Sequence, residues 1–464
     1  MTSVFYATFF PIIGAFCLPF SPRKARPYLA ASVLGVTCLL LVLLLPTYLT
    51  RGESVFGGPL NSWFSFSFLV DGMAILMAII SSFVGLLVAL YSLEYMKDYQ
   101  DAADFYFWMV LFIGAMLGLV FSANLLLMFC FWEVTSVCSW RLIGFYRREK
   151  DVLAADKAFL ITFFGASVML GGIVLILLNY GTLDIVSLRG IGISNLAAFL
   201  VLTGVISKSA QLPLGSWLPD AGVAPTPVTA LLHAAVLVKI GVYVFARLAG
   251  ATFILTTAFF NFAIFLSSAT IIVAASSALA ENNMKRILAY STISQLGYIL
   301  LAISLNSDVS LKVAMAYILA HSLAKAGLFL CAGIIEHKTG TRDISKLGGL
   351  LKGMPLTGLA YLLCAFSVIG IPPFLGFWPK AMTVLLAVSS GHLVAGALAI
   401  LGALFTLLYL VRLFNRVFLG EVRIRAEEDK RSLMVLVVLL LGVLSLLLGV
   451  FFRIPLGIVD TLIK

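Results

Sequence analysis

The chain of 464 residues is 62% hydrophobic and only 11% charged, too little polar surface to cover a water-soluble globule of that size. Its net charge of +10 would suit an acidic partner, but the basic residues sort to one side of a succession of apolar segments. The charge therefore reports topology, and a nucleic-acid partner is set aside.

Unbroken apolar runs such as Leu29 to Leu45, Phe159 to Leu178, Phe253 to Ala280 and Leu433 to Phe452 approach or exceed the ~20 residues a helix needs to cross the hydrocarbon core. Barrel strands would alternate instead. The expected fold is an all-α polytopic membrane protein of about fourteen transmembrane helices. In chain order they fall near 4–20, 28–48, 66–93, 105–121, 124–146, 155–179, 193–213, 228–248, 254–279, 286–304, 311–335, 356–389, 393–419 and 432–452. The first is expected to be retained, because Arg23, Lys24 and Arg26 follow it without a small-residue cleavage signature. With both termini outside, the inner loops hold Arg23, Lys24, Arg26, Lys97, Arg147, Arg148, Lys150, Lys285, Arg286, Lys338, Arg342, Lys346, Lys352 and the basic run from Arg412 to Arg431. The outer side carries little beyond Arg51, Arg189, Arg247, Arg453 and Lys464, which is the positive-inside bias of a cell-membrane protein.

The connections Thr50–Trp63, Glu336–Met354 and Gly420–Ser432 are the largest, so function is expected within the membrane or on short loops. The cysteines at 17, 38, 130, 138, 331 and 364 lie in apolar spans and form no C-x-x-C pair. They read as small hydrophobes, with no iron-sulfur or zinc site, no other metal or cofactor, and no catalytic chemistry expected. Two segments interrupt the helical pattern alike: Pro213 to Pro219 and Pro373 to Pro379 both hold Leu-Gly-x-Trp between prolines. Proline removes a backbone donor, and irregular backbone at membrane depth is tolerated only where protein or a water-filled cavity covers it. Paired breaks suggest an internal repeat with an ion path; simple inter-helix turns are the alternative.

Ionisable residues inside apolar spans are costly and so are functional candidates. Glu133 lies ~13 Å into the fifth span and Lys239 ~16 Å into the eighth. Lys208 precedes the first break, Lys380 follows the second, and His321 and Lys325 share a helix face, with His233 shortly before Lys239. A buried lysine whose counter-charge can come and go is a proton switch, with Glu133 expected near Lys208. Static ion pairing of Glu133 is the alternative there. His233 and His321 could equally be hydrogen-bonded packing residues. Arg141, Lys157 and Lys312 are expected to snorkel from span ends, and Asp71 and Asp220 to cap backbone N–H groups. His337 and His392 need no special role.

The segments Phe131–Ser136 (FWEVTS), Ser207–Pro227 (SKSAQLPLGSWLPDAGVAPTP), Val228–Gly241 (VTALLHAAVLVKIG), Asn283–Tyr298 (NMKRILAYSTISQLGY), His321–Leu330 (HSLAKAGLFL) and Gly376–Lys380 (GFWPK) resemble the antiporter-like subunits shared by Mrp-type sodium/proton antiporters, respiratory complex I and membrane-bound hydrogenases. That resemblance implies two inverted five-helix repeats, each with a broken helix: residues 105–250 and 251–420, flanked by N-terminal helices in 1–104 and a last helix in 421–464. It implies a proton path through Glu133, Lys208, Lys239, Lys325 after His321, and Lys380, which His233 joins by its place shortly before Lys239. Gly215 stands where the family commonly has histidine, which puts a relay role of the first break in doubt. The run Thr339–Leu350, the Lys380 terminus and the lack of a long lateral helix look more like the D-type member of the Mrp family and its hydrogenase-complex relatives.

The implied function is proton translocation, with sodium/proton antiport as one form, inside a hetero-oligomeric complex that could carry a peripheral redox arm. A quinone- or electron-transfer-linked membrane subunit without its own channel is the alternative, which four scattered histidines do not favour as haem ligands. A solute transporter of the major-facilitator type would show a different repeat and no such lysine series.

Overall fold

The computed structural model describes residues 3–99 and 101–463. The first helices are α1 (Ser3–Cys17), α2 (Arg26–Arg51), α3 (Gly72–Tyr95), α4 (Ala102–Phe121), α5 (Leu125–Ile143), α6 (Glu149–Tyr180) and α7 (Asn195–Lys208). Two short helices, α8 (Trp217–Asp220) and α9 (Thr226–Ala230), lead through a π-helical turn at Leu231–Ala235 into α10 (Leu237–Phe245), which ends in a second such turn at Ala246–Gly250. Then follow α11 (Thr257–Ala280), α12 (Met284–Ser304), α13 (Ser310–Thr339), α14 (Pro355–Ile369), α15 (Phe377–Ser389), α16 (Leu393–Phe418), α17 (Leu433–Val450) and α18 (Arg453–Leu462). Among the described residues, 11 helical segments are long and apolar enough to cross a membrane. The remaining expected crossings fall on shorter apolar helices at 4–20, 195–208, 355–369 and 377–389.

Helix starts follow capping chemistry. Asn124, Ser194, Thr256, Asn283 and Ser432 each accept backbone N–H bonds from the first turn they precede. Gly181 and Gly340 end α6 and α13 in the left-handed conformation. Two caps come from far along the chain. Glu428 accepts from the amides of Leu356 (2.6 Å) and Thr357 (2.9 Å) at the start of α14, and Glu94 takes the Ser432 hydroxyl at 2.8 Å.

The third span begins later than its hydropathy suggests. Residues 65–70 are not helical but form β2 (Ser65–Val70), paired antiparallel with β1 (Ser54–Pro59). Phe64 to Phe68 alternates aromatic with serine, a period of two that suits a pleated strand. Asp71 then starts α3 by accepting from the Ala74 amide at 2.9 Å. The chain also continues past the last expected span into α18, whose Leu462 carbonyl lies so close to Gly72 that a Cβ there would fall 1.8 Å away.

Both proline-flanked segments interrupt their helices as expected. The first lies between α7 and α8, the second between α14 and α15. Their shared Leu-Gly-x-Trp has a steric reason: a Cβ on Gly215 would sit 2.4 Å from the Ala210 carbonyl oxygen, and one on Gly376 2.0 Å from that of Ser367. Histidine at Gly215 would meet the same obstacle. The indoles anchor each break, Trp217 donating to the Ser207 carbonyl and Trp378 to that of Gly449, both at 3.0 Å. Gly215→Ala and Gly376→Ala are each expected to cost about 1–3 kcal/mol through overpacking. A thermal melt of the detergent-purified protein checks this, and an unchanged midpoint would mean the break has slack.

The interior is formed by α12, α13 and the buried segment between residues 226 and 249, while α2, α6 and α16 turn much of their surface outward. The core thus encloses the spans that carry His233, Lys239, His321 and Lys325.

Candidate ion-translocation site

In α5, the Glu133 side chain is half-buried, and its Oε1 has no hydrogen-bond partner among the described residues. Lys208, at the end of α7, is fully buried. Its ammonium donates to Ser136 Oγ at 2.6 Å and to the Trp132 carbonyl at 3.4 Å, and lies 5.4 Å from the Trp132 ring centre. Glu133 and Lys208 are close enough to act on each other electrostatically, but a hydroxyl holds the lysine. Ser136 lies three residues beyond Glu133, so one stretch of helix presents both the carboxylate and the neutral acceptor.

A second group gathers around α13. The Lys325 ammonium donates to Ser291 Oγ at 2.5 Å and to the Leu288 carbonyl at 3.2 Å, and Ser291 shares a 2.6 Å hydrogen bond with the Tyr409 hydroxyl. Lys239 is buried and bonded to the Ala234 carbonyl. Lys380 donates to the carbonyls of Val368 (2.6 Å) and Ile369 (3.1 Å), which the second break leaves free, and sits 5.0 Å from the Tyr298 ring centre. His233 stacks on Phe329 with centroids 4.4 Å apart. Neither imidazole of His233 or His321 has a hydrogen-bond partner among the described residues. Both rings lie within electrostatic reach of Lys239 and Lys325, and His321 also of Lys380.

Sequence reasoning missed several neighbours. Ser136, Ser291 and Tyr409 are uncharged, and so are Gln295, Thr406 and Tyr317, of which Tyr317 donates to Gln295 Oε1 at 2.9 Å and Gln295 to Thr406 at 3.4 Å. Their signal was available only as hydroxyl and amide side chains within apolar spans.

The basic side corrects two further expectations, for Asp220 and Lys285. Lys157, 41% exposed near the start of α6, pairs with Asp220 at 2.7 Å, and Asp220, rather than capping a helix, also holds Arg286 at 2.5 Å. Arg141 pairs with Asp104 at 3.2 Å on this side, and Lys312 with Asp460 at 3.3 Å at the opposite end of the bundle. Lys285, a loop cation by its sequence position, is buried against Glu336 at 2.9 Å, and Glu336 binds Arg342 at 2.5 Å. Asp220, Lys157, Arg286 and Arg342 border a cavity of about 370 Å³. Glu281, in the loop before α12, would have its carboxyl pushed up by burial. The amides of Asn283 and Asn282 and the Arg286 guanidinium instead hold it below the usual carboxylate range. Cys138, Cys331 and Cys364 are buried, whereas Cys17 and Cys130 are exposed on the outer surface of the bundle.

Residues 122–406 match the family described as NADH:quinone oxidoreductase/Mrp antiporter, TM, and residues 60–106 match NADH-Ubiquinone oxidoreductase (complex I), chain 5 N-terminus. The chain is 36% identical to the A-type subunit of the Na(+)/H(+) antiporter of Alkalihalophilus pseudofirmus, across 97% of this chain and 61% of that protein. It is also 36% identical to the A1-type subunit of the Na(+)/H(+) antiporter of Staphylococcus haemolyticus, across 83% and 52%. It therefore spans about three-fifths or less of these relatives. Its fold matches chains in the Mrp complex from a Dietzia species (TM-score 0.89) and in the archaeal membrane-bound sulfane sulfur reductase (TM-score 0.92), each 24% identical and covering 99% of this chain and 97% of the other. With its match running from residue 122 to 406, through both breaks and every buried lysine described above, the chain belongs to the NADH:quinone oxidoreductase/Mrp antiporter transmembrane family.

Proposed function

We propose that the chain is the proton-translocating, sodium/proton-antiporting part of a multisubunit membrane complex, moving protons along Glu133, Lys208, Lys239, His233, His321, Lys325 and Lys380. The observation that carries the reading is the set of lysines buried in apolar spans and held by hydroxyls and carbonyls rather than by carboxylates. A lysine in such company can give up its proton without stranding a paired anion, and a cation arriving nearby lowers its affinity for that proton. Glu133 is the group that can favour the charged form of Lys208. The likeness to Na(+)/H(+) antiporter subunits supports the same reading.

In this proposal fourteen spans place both termini outside the cell membrane, with repeats at 105–250 and 251–420. Beyond the family, we favour a D-type place in the assembly, on Lys380 and the run Thr339–Leu350. The A-type relatives offer the competing place. Gentle purification followed by mass spectrometry of the co-purifying subunits separates the two, and iron-sulfur or nickel-binding partners would point instead to a redox-driven host. The function itself is tested in proteoliposomes of the intact complex carrying an internal pH dye. An imposed sodium gradient is expected to drive proton movement, and Lys325→Ala to stop it. A complex that moves no protons under any gradient would sink the reading.

A further inference from the structure

Toward the face opposite the basic loops, a polar column continues from Lys239 of the lysine axis. Lys239, Tyr243 and Arg247 follow one another at intervals of four residues, which stacks them on one side of a helix, and all three are buried. By sequence position Arg247 is a loop cation of that face. Its guanidinium is instead only 3% exposed, gripping Asp71 with both prongs, the second at 2.8 Å. The same nitrogen donates to the Tyr243 hydroxyl at 2.7 Å, and that hydroxyl donates to the Val120 carbonyl at 2.7 Å. Beyond the pair opens a cavity of about 680 Å³ lined by Asp71, Arg247, Tyr48, Thr461 and a second ion pair, Arg189 with Glu53 at 2.7 Å.

A fixed buried ion pair is a poor source of stability, so its position between a buried lysine and an open cavity calls for another role. We infer that the Arg247–Asp71 pair is the closed end of a proton path running from Lys239 through the Tyr243 hydroxyl into this cavity. The inference rests on the proton-translocating reading above. In the closed state the Tyr243 oxygen is saturated, accepting from Arg247 and donating to Val120. When the arginine leaves, with Glu53 as an alternative anion across the cavity, that oxygen is free to accept from water. A proton released by the Lys239 ammonium then passes through water to the phenol oxygen, while the phenol's own proton leaves to cavity water. One O–H bond forms and one breaks, the tyrosine is unchanged, and Lys239 is left neutral for reloading from His321 or Lys325.

The test uses proteoliposomes of the intact complex. Asp71→Asn frees the arginine and is expected to raise passive proton leak severalfold, and adding Tyr243→Phe is expected to return the leak to the wild-type level. Tyr243→Phe alone keeps the ring and its packing, and should lower coupled transport roughly a hundredfold, the low end of what removing a positioned proton-transfer group costs. A purely structural pair would instead lower assembly or thermal stability without a leak that Tyr243→Phe abolishes. If Asp71→Asn fails to assemble, Arg247→Lys, which keeps the charge but loses the two-pronged grip, is read in the same way. An assembled variant without leak, a leak indifferent to Tyr243→Phe, or wild-type transport by Tyr243→Phe overturns the inference. Flux that falls with Lys208→Ala yet ignores Tyr243→Phe would fail this path alone, whereas absence of any flux would fail the function.

Discussion

In the assembled complex, Lys208→Ala is expected to cut proton transport by at least ~100-fold, and Lys208→Arg by nearly as much. The arginine variant is the informative one. Arginine keeps the positive charge beside Glu133 but does not release its proton in proteins. If Lys208 served only as a static counter-charge, arginine would preserve function, within the limits of fitting a planar fork against Ser136 and Trp132. If it works by losing and regaining a proton, arginine is as dead as alanine. Flux measured in proteoliposomes, with the composition of the complex verified by mass spectrometry, distinguishes the two. Wild-type rates in Lys208→Arg would remove proton exchange at this position from the mechanism.

The second large effect concerns stability. Glu336→Gln is expected to destabilise the protein by roughly 3–5 kcal/mol, the usual penalty for breaking a buried pair from one side. Lys285 is 1% exposed and would lose its counter-charge, since its other acceptor is the Ala224 carbonyl at 3.0 Å. Arg342 would lose its carboxylate too, although its bond to the Gly222 carbonyl at 2.9 Å remains. A melt of the purified complex should show a clear fall in midpoint. Restoring part of the loss with Lys285→Met would identify the stranded ammonium as its main cause, and an unchanged midpoint for Glu336→Gln would mean that water already relieves the charge.

What the sequence made legible follows one physical rule, that the bilayer makes polarity expensive. Long apolar runs announced the helices, and Lys208, Lys239 and Lys325 stood out because lysine is rare at such depth. The paired prolines marked both interruptions. The same rule hid the rest. Ser136 and Ser291, which hold two of the lysines, are common in apolar helices and raise no alarm. Arg247 and Lys285 lie close enough to span ends to pass for loop cations, and only tertiary packing shows them buried against Asp71 and Glu336. At Ser65–Val70 a period of two was present, but the apolar content of the segment outweighed it. The half-buried Glu133 is expected near Lys208 from sequence, and the structure adds that serine and a carbonyl, rather than the carboxylate, receive the ammonium.

The clasp of Glu428 on the start of α14 also sets a timetable for biosynthesis. The amide of Leu356 emerges from the ribosome 72 residues before its acceptor, a delay of about 4–14 s at typical elongation rates of ~5–20 residues per second. Until then the first turn of α14 has only water or headgroups for its free amides, so the second interrupted helix cannot take its final place before the chain is made nearly to α17. A translational pause between residues 357 and 428 would prolong that unfinished state.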